Sequence, residues 1–126
     1  MKKHLFAILL AIGSLSANAQ DDNWTWGGSI DPAQAAYDVK HYTLNLAINP
    51  DNRSIAGWAE ATVAILSTIN LLKLDLIDRY KVNEVWVDGK KSRYTRTKDG
   101  LDVELKRKYA PGQRVKVKVS YAGVTP

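Results

Sequence analysis

Apolar and polar residues alternate along most of the chain from residue 37 onward, the period expected of half-buried β-strands. Proline, glycine, asparagine and aspartate separate the alternating stretches, as turns require. The pattern predicts an all-β fold of about seven strands, an antiparallel β-sandwich or saddle-like curled sheet without helices. The apolar rows are Tyr42/Leu44/Leu46/Ile48, Ile55 to Ile65, Leu72/Leu74/Leu76, Val82/Val85/Val87, a short stretch around Tyr94, Leu101/Val103/Leu105, and Val115/Val117/Val119/Tyr121.

Local irregularities in the pattern predict specific backbone features. The odd spacing between Val82 and Val85 predicts a β-bulge. The Asp88-Gly89 pair favours a tight hairpin because both central residues of primed turns have positive φ. A further turn is expected at Pro111-Gly112.

The polar sides of the strands raise two further expectations. Lys116 and Lys118 alternate with valines in the last stretch, and we expect this strand to form an open, lysine-protected edge of the sheet. Trp58 and Trp86 fall opposite the apolar rows, where we expect a second sheet or a neighbouring domain to cover them. Stacking on sugar rings or on a protein partner is the alternative role for these indoles.

The amino terminus has the features of a cleavable signal peptide over residues 1–19. Lys2 and Lys3 precede the apolar run Leu5–Ile12, and Ala17 and Ala19 supply the small residues that signal peptidase requires. The run is too short to cross a bilayer, which takes about 20 residues, so no membrane span is expected. The sequence therefore predicts export to the periplasm or to the extracellular space.

Residues 20–36 are predicted to be a linker or arm, and residues 37–126 a β-domain. Trp24 and Trp26 lie in the arm and are expected to dock on a neighbouring surface. Loss of the signal peptide lowers the net charge from +5 to +3. The remaining charge is unevenly distributed, with 3 basic and 8 acidic residues over 20–78 and 13 basic and 5 acidic residues over 79–126. We attribute this asymmetry to solvated strand and turn positions and expect no nucleic-acid partner.

The chain has few of the residues that usually carry out catalysis. It has no cysteine, and His41 is the single histidine outside the signal peptide, where His4 lies. Asp75 and Asp78 are better explained as a strand end and a turn than as paired catalytic carboxylates. No nucleophile elbow, phosphate-binding loop or EF-hand loop occurs. We therefore expect no catalytic, cofactor-binding or metal-binding residue in this chain.

Five segments resemble, in order, strands of the amino-terminal domain of zinc aminopeptidases of the aminopeptidase N type, which are gluzincin metallopeptidases of clan MA. The segments are Tyr37–Leu46, Ile55–Gly57, Leu72–Leu76, Val85–Lys90 and Val117–Gly123. The resemblance implies a β-saddle that packs on a thermolysin-like catalytic domain of the same polypeptide, its expected partner.

In that family the zinc is held by an H-E-x-x-H helix and a later glutamate, and a G-x-M-E-N strand grips the amine of the peptide substrate. None of these motifs occurs here. The resemblance thus implies a chain cut before the catalytic domain, inactive alone and without a cofactor, the zinc being expected in the missing domain. The alternative is a free-standing secreted β-sandwich binding module for sugars or a protein partner.

Overall fold

The computed structural model describes residues 29–125, which form two antiparallel β-sheets and no helix in that range. The larger sheet has the strand order β1-β2-β8-β4-β5, and the smaller sheet has the order β3-β7-β6. The predicted all-β, antiparallel, sandwich-like fold is confirmed. The strands are β1 (Tyr37–Asn49), β2 (Ser54–Ile65), β3 (Ile69–Asp75), β4 (Tyr80–Val87), β5 (Lys90–Lys91), β6 (Tyr94–Arg96), β7 (Gly100–Tyr109) and β8 (Arg114–Val124).

The core lies between the two sheets, where the predicted apolar rows face each other. Alternation places every second residue of β2, β4 and β8 on the inner face of the larger sheet, opposite β3 and β7. Full burial of one such side chain is worth about 1.5–3 kcal/mol. The most deeply buried side chains are Val63, Ile65, Leu72, Val85, Leu101, Val103, Val115 and Val117.

The predicted irregularities are present. The register between β4 and β8 shifts between Val82 and Glu84, which is the expected bulge. Asp88 and Gly89 join β4 to β5 with φ values of 47° and 77°, as a primed hairpin turn requires. The Asp88 carboxylate also accepts hydrogen bonds from the Tyr109 hydroxyl at 2.6 Å and the Lys116 backbone N–H at 2.9 Å. This side chain therefore ties the hairpin to β7 and β8.

The expectation that the last strand forms an edge is wrong. β8 lies in the middle of the larger sheet, hydrogen-bonded to β2 on one side and to β4 on the other. Lys116 and Lys118 therefore point from the outer face of a central strand and protect no edge. The sequence pattern gives the two faces of a strand but not its neighbours, and β1 and β5 are the actual edges of this sheet.

The described part of the predicted 20–36 linker, residues 29–36, contains a turn that is fixed to the domain. The Asp31 carbonyl accepts hydrogen bonds from the N–H groups of Gln34 at 2.8 Å and Ala35 at 2.9 Å. The Asp31 carboxylate pairs with the Lys73 ammonium of β3 at 2.6 Å. This pairing lowers the pKa of Asp31 and raises that of Lys73, mainly through the hydrogen bond between the two side chains.

The Arg96 guanidinium fixes the connection between β3 and β4. Its Nη1 donates hydrogen bonds to the carbonyls of Leu76 at 2.6 Å and Gly100 at 2.8 Å. Its Nη2 donates to the carbonyls of Ile77 at 2.6 Å and Tyr80 at 3.1 Å. One half-buried side chain of β6 therefore satisfies four backbone acceptors that belong to two different connections.

Candidate functional site

The edge strand β1 presents a row of apolar side chains to solvent. Tyr42, Leu44 and Ile48 are 60%, 60% and 67% exposed, and Leu46 between them is half-buried. Tyr42 lies directly opposite the buried Ala61 of β2, so the row stands on the same side of the sheet as the core. We call these four side chains the open face.

Within residues 29–125 the open face is uncovered, because the smaller sheet is too narrow to reach it. That sheet has three strands, and its core residues pack against β2, β4 and β8. Among the described residues, Tyr37 and Val39 are the side chains of β1 that pack against this core. A contiguous apolar row rimmed by polar residues is typical of a surface that another protein element covers.

Gly57 sets how closely β1 and β2 approach along the open face. Its φ is 151°, and a Cβ atom there would lie 2.0 Å from the Asn45 carbonyl oxygen. Gly57 pairs with Leu46, in the middle of the apolar row. Because glycine has no Cβ, it allows β1 and β2 to approach closely here with a positive φ at Gly57.

A groove between the two sheets adjoins the open face at Tyr42. Its volume is about 260 Å³, and we call it the tyrosine groove. Tyr121 of β8 contributes to its wall and packs edge-on against Tyr80, with ring centroids 5.6 Å apart. The lining residues are Gln34, Tyr37, Tyr42, Ala59, Ala61, Leu74, Asp75, Leu76, Leu101, Val117, Val119 and Tyr121.

Tyr37 is held firmly in the wall of this groove. Its hydroxyl donates a hydrogen bond to the Lys73 carbonyl at 2.5 Å. Burial raises the pKa of Tyr37 to about 12, and the neighbouring Tyr42 and Asp75 add to the shift. Burial, with Tyr80 nearby, also raises the pKa of Tyr121. The groove thus combines neutral phenol groups, apolar walls and one carboxylate.

The outer face of the larger sheet carries Trp58 and Trp86. The Lys118 ammonium lies 5.4 Å from the Trp58 ring centroid and 4.7 Å from the Trp86 ring centroid, within range of a cation–π contact with each. Both indoles are half-buried. The predicted outward orientation is confirmed. Within residues 29–125, Lys118 contacts these rings and no second sheet covers them.

The candidate chemical residues do not converge on one place. His41 is exposed on β1, Asp75 ends β3, and Asp78 lies in the turn that follows. Among residues 29–125 there is no group of three or more side chains arranged to hold a metal ion. The expectation that the whole chain lacks site residues stays a prediction, and Trp24 and Trp26 lie outside the described residues.

Sequence reasoning missed the tyrosine groove because its walls come from strands far apart in the chain. Tyr37 opens β1, Asp75 ends β3 and Tyr121 lies near the end of β8. Each was assigned correctly to a strand or strand end. Only the pairing of strands brings them together, and alternation does not specify that pairing.

In the described range, no helix is long and apolar enough to cross a membrane. The fold and the open face define a class of small β-domain whose described part, residues 29–125, leaves an apolar surface exposed. No protein-family model and no curated protein matches the chain. Solved structures do match it.

The M1 zinc metallopeptidase from Deinococcus radiodurans matches with a TM-score of 0.68 and 28% identity, over 74% of this chain and 22% of that one. A mutant of the same enzyme has been solved with a Tyr-Ser-Ala substrate. Leukotriene A4 hydrolase from Saccharomyces cerevisiae matches in fold, with a TM-score of 0.59 and 18% identity, over 78% of this chain and 17% of that one.

The chain is similar to the amino-terminal domain of M1 zinc metallopeptidases, which confirms the resemblance drawn from the five segments. It spans about a fifth of the length of these solved relatives.

Proposed function

We propose that this chain is the non-catalytic amino-terminal domain of an exported zinc metallo-aminopeptidase, whose catalytic domain removes amino-terminal residues from peptides. The open face carries the proposal, because it is an apolar surface on the core side of a sheet that lacks a cover in residues 29–125. The similarity to M1 zinc metallopeptidases over 74% of this chain and 22% of theirs supports a further domain as the cover. The Tyr-Ser-Ala complex of one relative supports peptides as substrates of the whole enzyme.

In this proposal the catalytic zinc belongs to the catalytic domain. A catalytic zinc site needs three protein ligands and an open position for water. His41 stands alone and exposed on β1, and no suitable group of ligands occurs in residues 29–125. The chain's own contribution is the surface against which the catalytic domain packs.

The gene itself provides the decisive test. We expect the coding sequence beyond Pro126 to continue into an H-E-x-x-H motif with a downstream glutamate. The full-length product should hydrolyse aminoacyl anilides, lose this activity with a chelator and regain it with zinc. The 126-residue chain should show no such activity. A natural stop codon directly after Pro126 would contradict the proposal, as would chelator-sensitive hydrolysis by the chain alone.

Export is the second part of the proposal and has its own test. The basic start, the short apolar run and the small residues Ala17 and Ala19 support cleavage after Ala19. Intact-mass analysis of the protein recovered from outside the cytoplasm should give a chain that begins at Gln20. A recovered chain that retains residues 1–19 would contradict it.

A free-standing sugar-binding module is the alternative, and Trp58 and Trp86 are the residues that favour it. However, the Lys118 ammonium lies over both indole rings, and a sugar would have to displace it to stack there. The uncovered apolar surface on the other side of the sheet has no role in such a module. We therefore prefer the domain of a larger enzyme.

A further inference from the structure

Basic side chains gather at one end of the sandwich, although they come from separate parts of the chain. At this end the Asp88 carboxylate accepts hydrogen bonds from the Tyr109 hydroxyl and from the Lys116 backbone N–H. These bonds bring the β4–β5 hairpin, the end of β7 and the start of β8 together. The exposed cations of these elements and of the β5–β6 connection are named the basic end: Lys90, Arg93, Lys106, Arg107, Lys108 and Arg114.

The cations of β5 and β7 share one surface. Lys91, Arg93 and Lys106 line the same surface groove, which also contains Ser92. The Ser92 hydroxyl donates a hydrogen bond to the Glu104 carbonyl at 2.5 Å, and the Glu104 N–H donates to the Arg93 carbonyl at 3.0 Å. The chain between β5 and β6 is thus fixed against β7, and its cations stand beside those of that strand.

Little negative charge balances the basic end. Among residues 29–125, none of its six cations takes part in an ion pair. Asp88 accepts hydrogen bonds within the domain, and Glu60 and Glu84 are already paired with other lysines. Exposed charges of both signs are mixed at the opposite end, where the residues are Asp51, Arg53, Asp75, Asp78, Arg79, Lys98 and Asp99.

An exposed leucine lies at the same end. The Ile65 N–H donates a hydrogen bond to the Gln113 carbonyl, and the Gly112 N–H donates to the Ile65 carbonyl, both at 2.9 Å. The end of β2 is therefore fixed to the turn between β7 and β8, directly before Arg114. Leu66 follows Ile65 and is 55% exposed. Because binding to a bilayer surface draws on buried apolar area and on attraction to anionic lipids, this end offers both contributions.

An anionic bilayer fits this combination better than a nucleic acid or an acidic protein. The potential of an anionic leaflet attracts each Lys and Arg near the surface and requires no fixed pairing geometry. The phosphates of a nucleic acid would neutralise the cations but would leave Leu66 in water. Exposed ion pairs with an acidic protein surface contribute little each.

We propose that the basic end binds the headgroup region of an anionic phospholipid bilayer, and that Leu66 enters the interface beside the cations. The binding is peripheral and largely electrostatic, so salt weakens it. It does not require the catalytic domain, and its failure would leave the assignment of this chain to a larger enzyme unaffected.

Vesicle sedimentation tests the proposal. The chain is used from Gln20 onward, because the apolar run Leu5–Ile12 would itself enter a bilayer. We expect it to sediment with vesicles of phosphatidylcholine and phosphatidylglycerol, to bind much less to phosphatidylcholine alone, and to be released by sodium chloride. Equal binding to both vesicles, or no binding at low salt, would overturn the proposal. Tighter binding to double-stranded DNA than to the anionic vesicles would assign the basic end to nucleic acid instead.

Charge reversal locates the binding surface. The double variant Lys106→Glu/Lys108→Glu should weaken binding to the anionic vesicles about tenfold or more. Arg79→Glu/Lys98→Glu is the matched control, because it changes the net charge equally at the opposite end, and it should change the affinity much less. Circular dichroism verifies that both variants are folded. An equal loss in both would show that net charge, and not the basic end, is responsible.

The leucine is tested separately. Leu66→Ser should weaken binding to the anionic vesicles about tenfold, because it removes the apolar contribution and leaves the charges unchanged. Ile48→Ser is the control, since Ile48 is 67% exposed but precedes the β1–β2 turn at the opposite end. Equal affinities of the two variants would contradict entry of Leu66 into the interface.

Discussion

The backbone of Gly57 in β2 approaches that of Asn45 in β1 so closely that a Cβ atom on Gly57 would lie 2.0 Å from the Asn45 carbonyl oxygen. We expect Gly57→Ala to destabilise the domain by about 2–3 kcal/mol, since it combines a steric conflict with a strained φ of 151°. Urea unfolding measures the loss. Gly89→Ala is the control, because φ is 77° there but nothing lies within 4 Å of the added methyl group. A loss in Gly57→Ala no greater than in Gly89→Ala would contradict the close approach.

Arg96 should be costly to replace, because its half-buried guanidinium satisfies four backbone carbonyls. Arg96→Lys keeps the charge but loses the planar fork that reaches four carbonyls, and we expect a loss of about 3 kcal/mol in the free energy of unfolding. Arg93→Lys is the matched control, because Arg93 is exposed. Chemical denaturation compares the two, and equal stability of both variants would show that the carbonyl contacts contribute nothing.

Alkaline pH should weaken the fold through Tyr37. Its pKa is about 12 in the folded chain against 10 in the unfolded chain, so the unfolded chain loses its proton first. The stabilisation is complete below pH 10 and is lost as the pH rises toward 12, by about 1–2 kcal/mol in total once solvent screening of this partly exposed group is included. Urea midpoints at pH 9 and pH 11.5 should therefore differ less in Tyr37→Phe than in the unchanged chain. An equal difference in the two chains would contradict the contribution of Tyr37.

The open face should cause the isolated chain to self-associate. β1 is an edge strand of the larger sheet, and Leu44 and Ile48 are 60% and 67% exposed on it. Leu44→Lys and Ile48→Lys should raise the dissociation constant about tenfold or more, measured by sedimentation.

Leu66→Lys serves as the control for association, because Leu66 is 55% exposed but lies outside β1. A chain that stays monomeric at high concentration, or an equal effect of Leu66→Lys, would contradict association through the open face. A monomeric chain with a cooperative, high-temperature melt would also favour the free-standing module over the domain of a larger enzyme.

The sequence predicted the strands well because each carries its own alternation and turn residues. The bulge after Val82 and the hairpin at Asp88-Gly89 are local features of this kind, and both are present. The position of β8 was predicted wrongly, because strand order depends on which faces pack together across the whole domain. The exposure of Leu44 was missed for the same reason, since an apolar row looks identical whether or not a sheet covers it.

The Arg96 clamp also has a consequence for local opening of the chain between β3 and β4. Arg96 holds the carbonyl of Leu76 together with those of Ile77 and Tyr80. This segment is thus tied to β6 by one side chain, and its local opening has to break these hydrogen bonds. Amide hydrogen exchange over residues 76–80 should therefore become faster in Arg96→Lys.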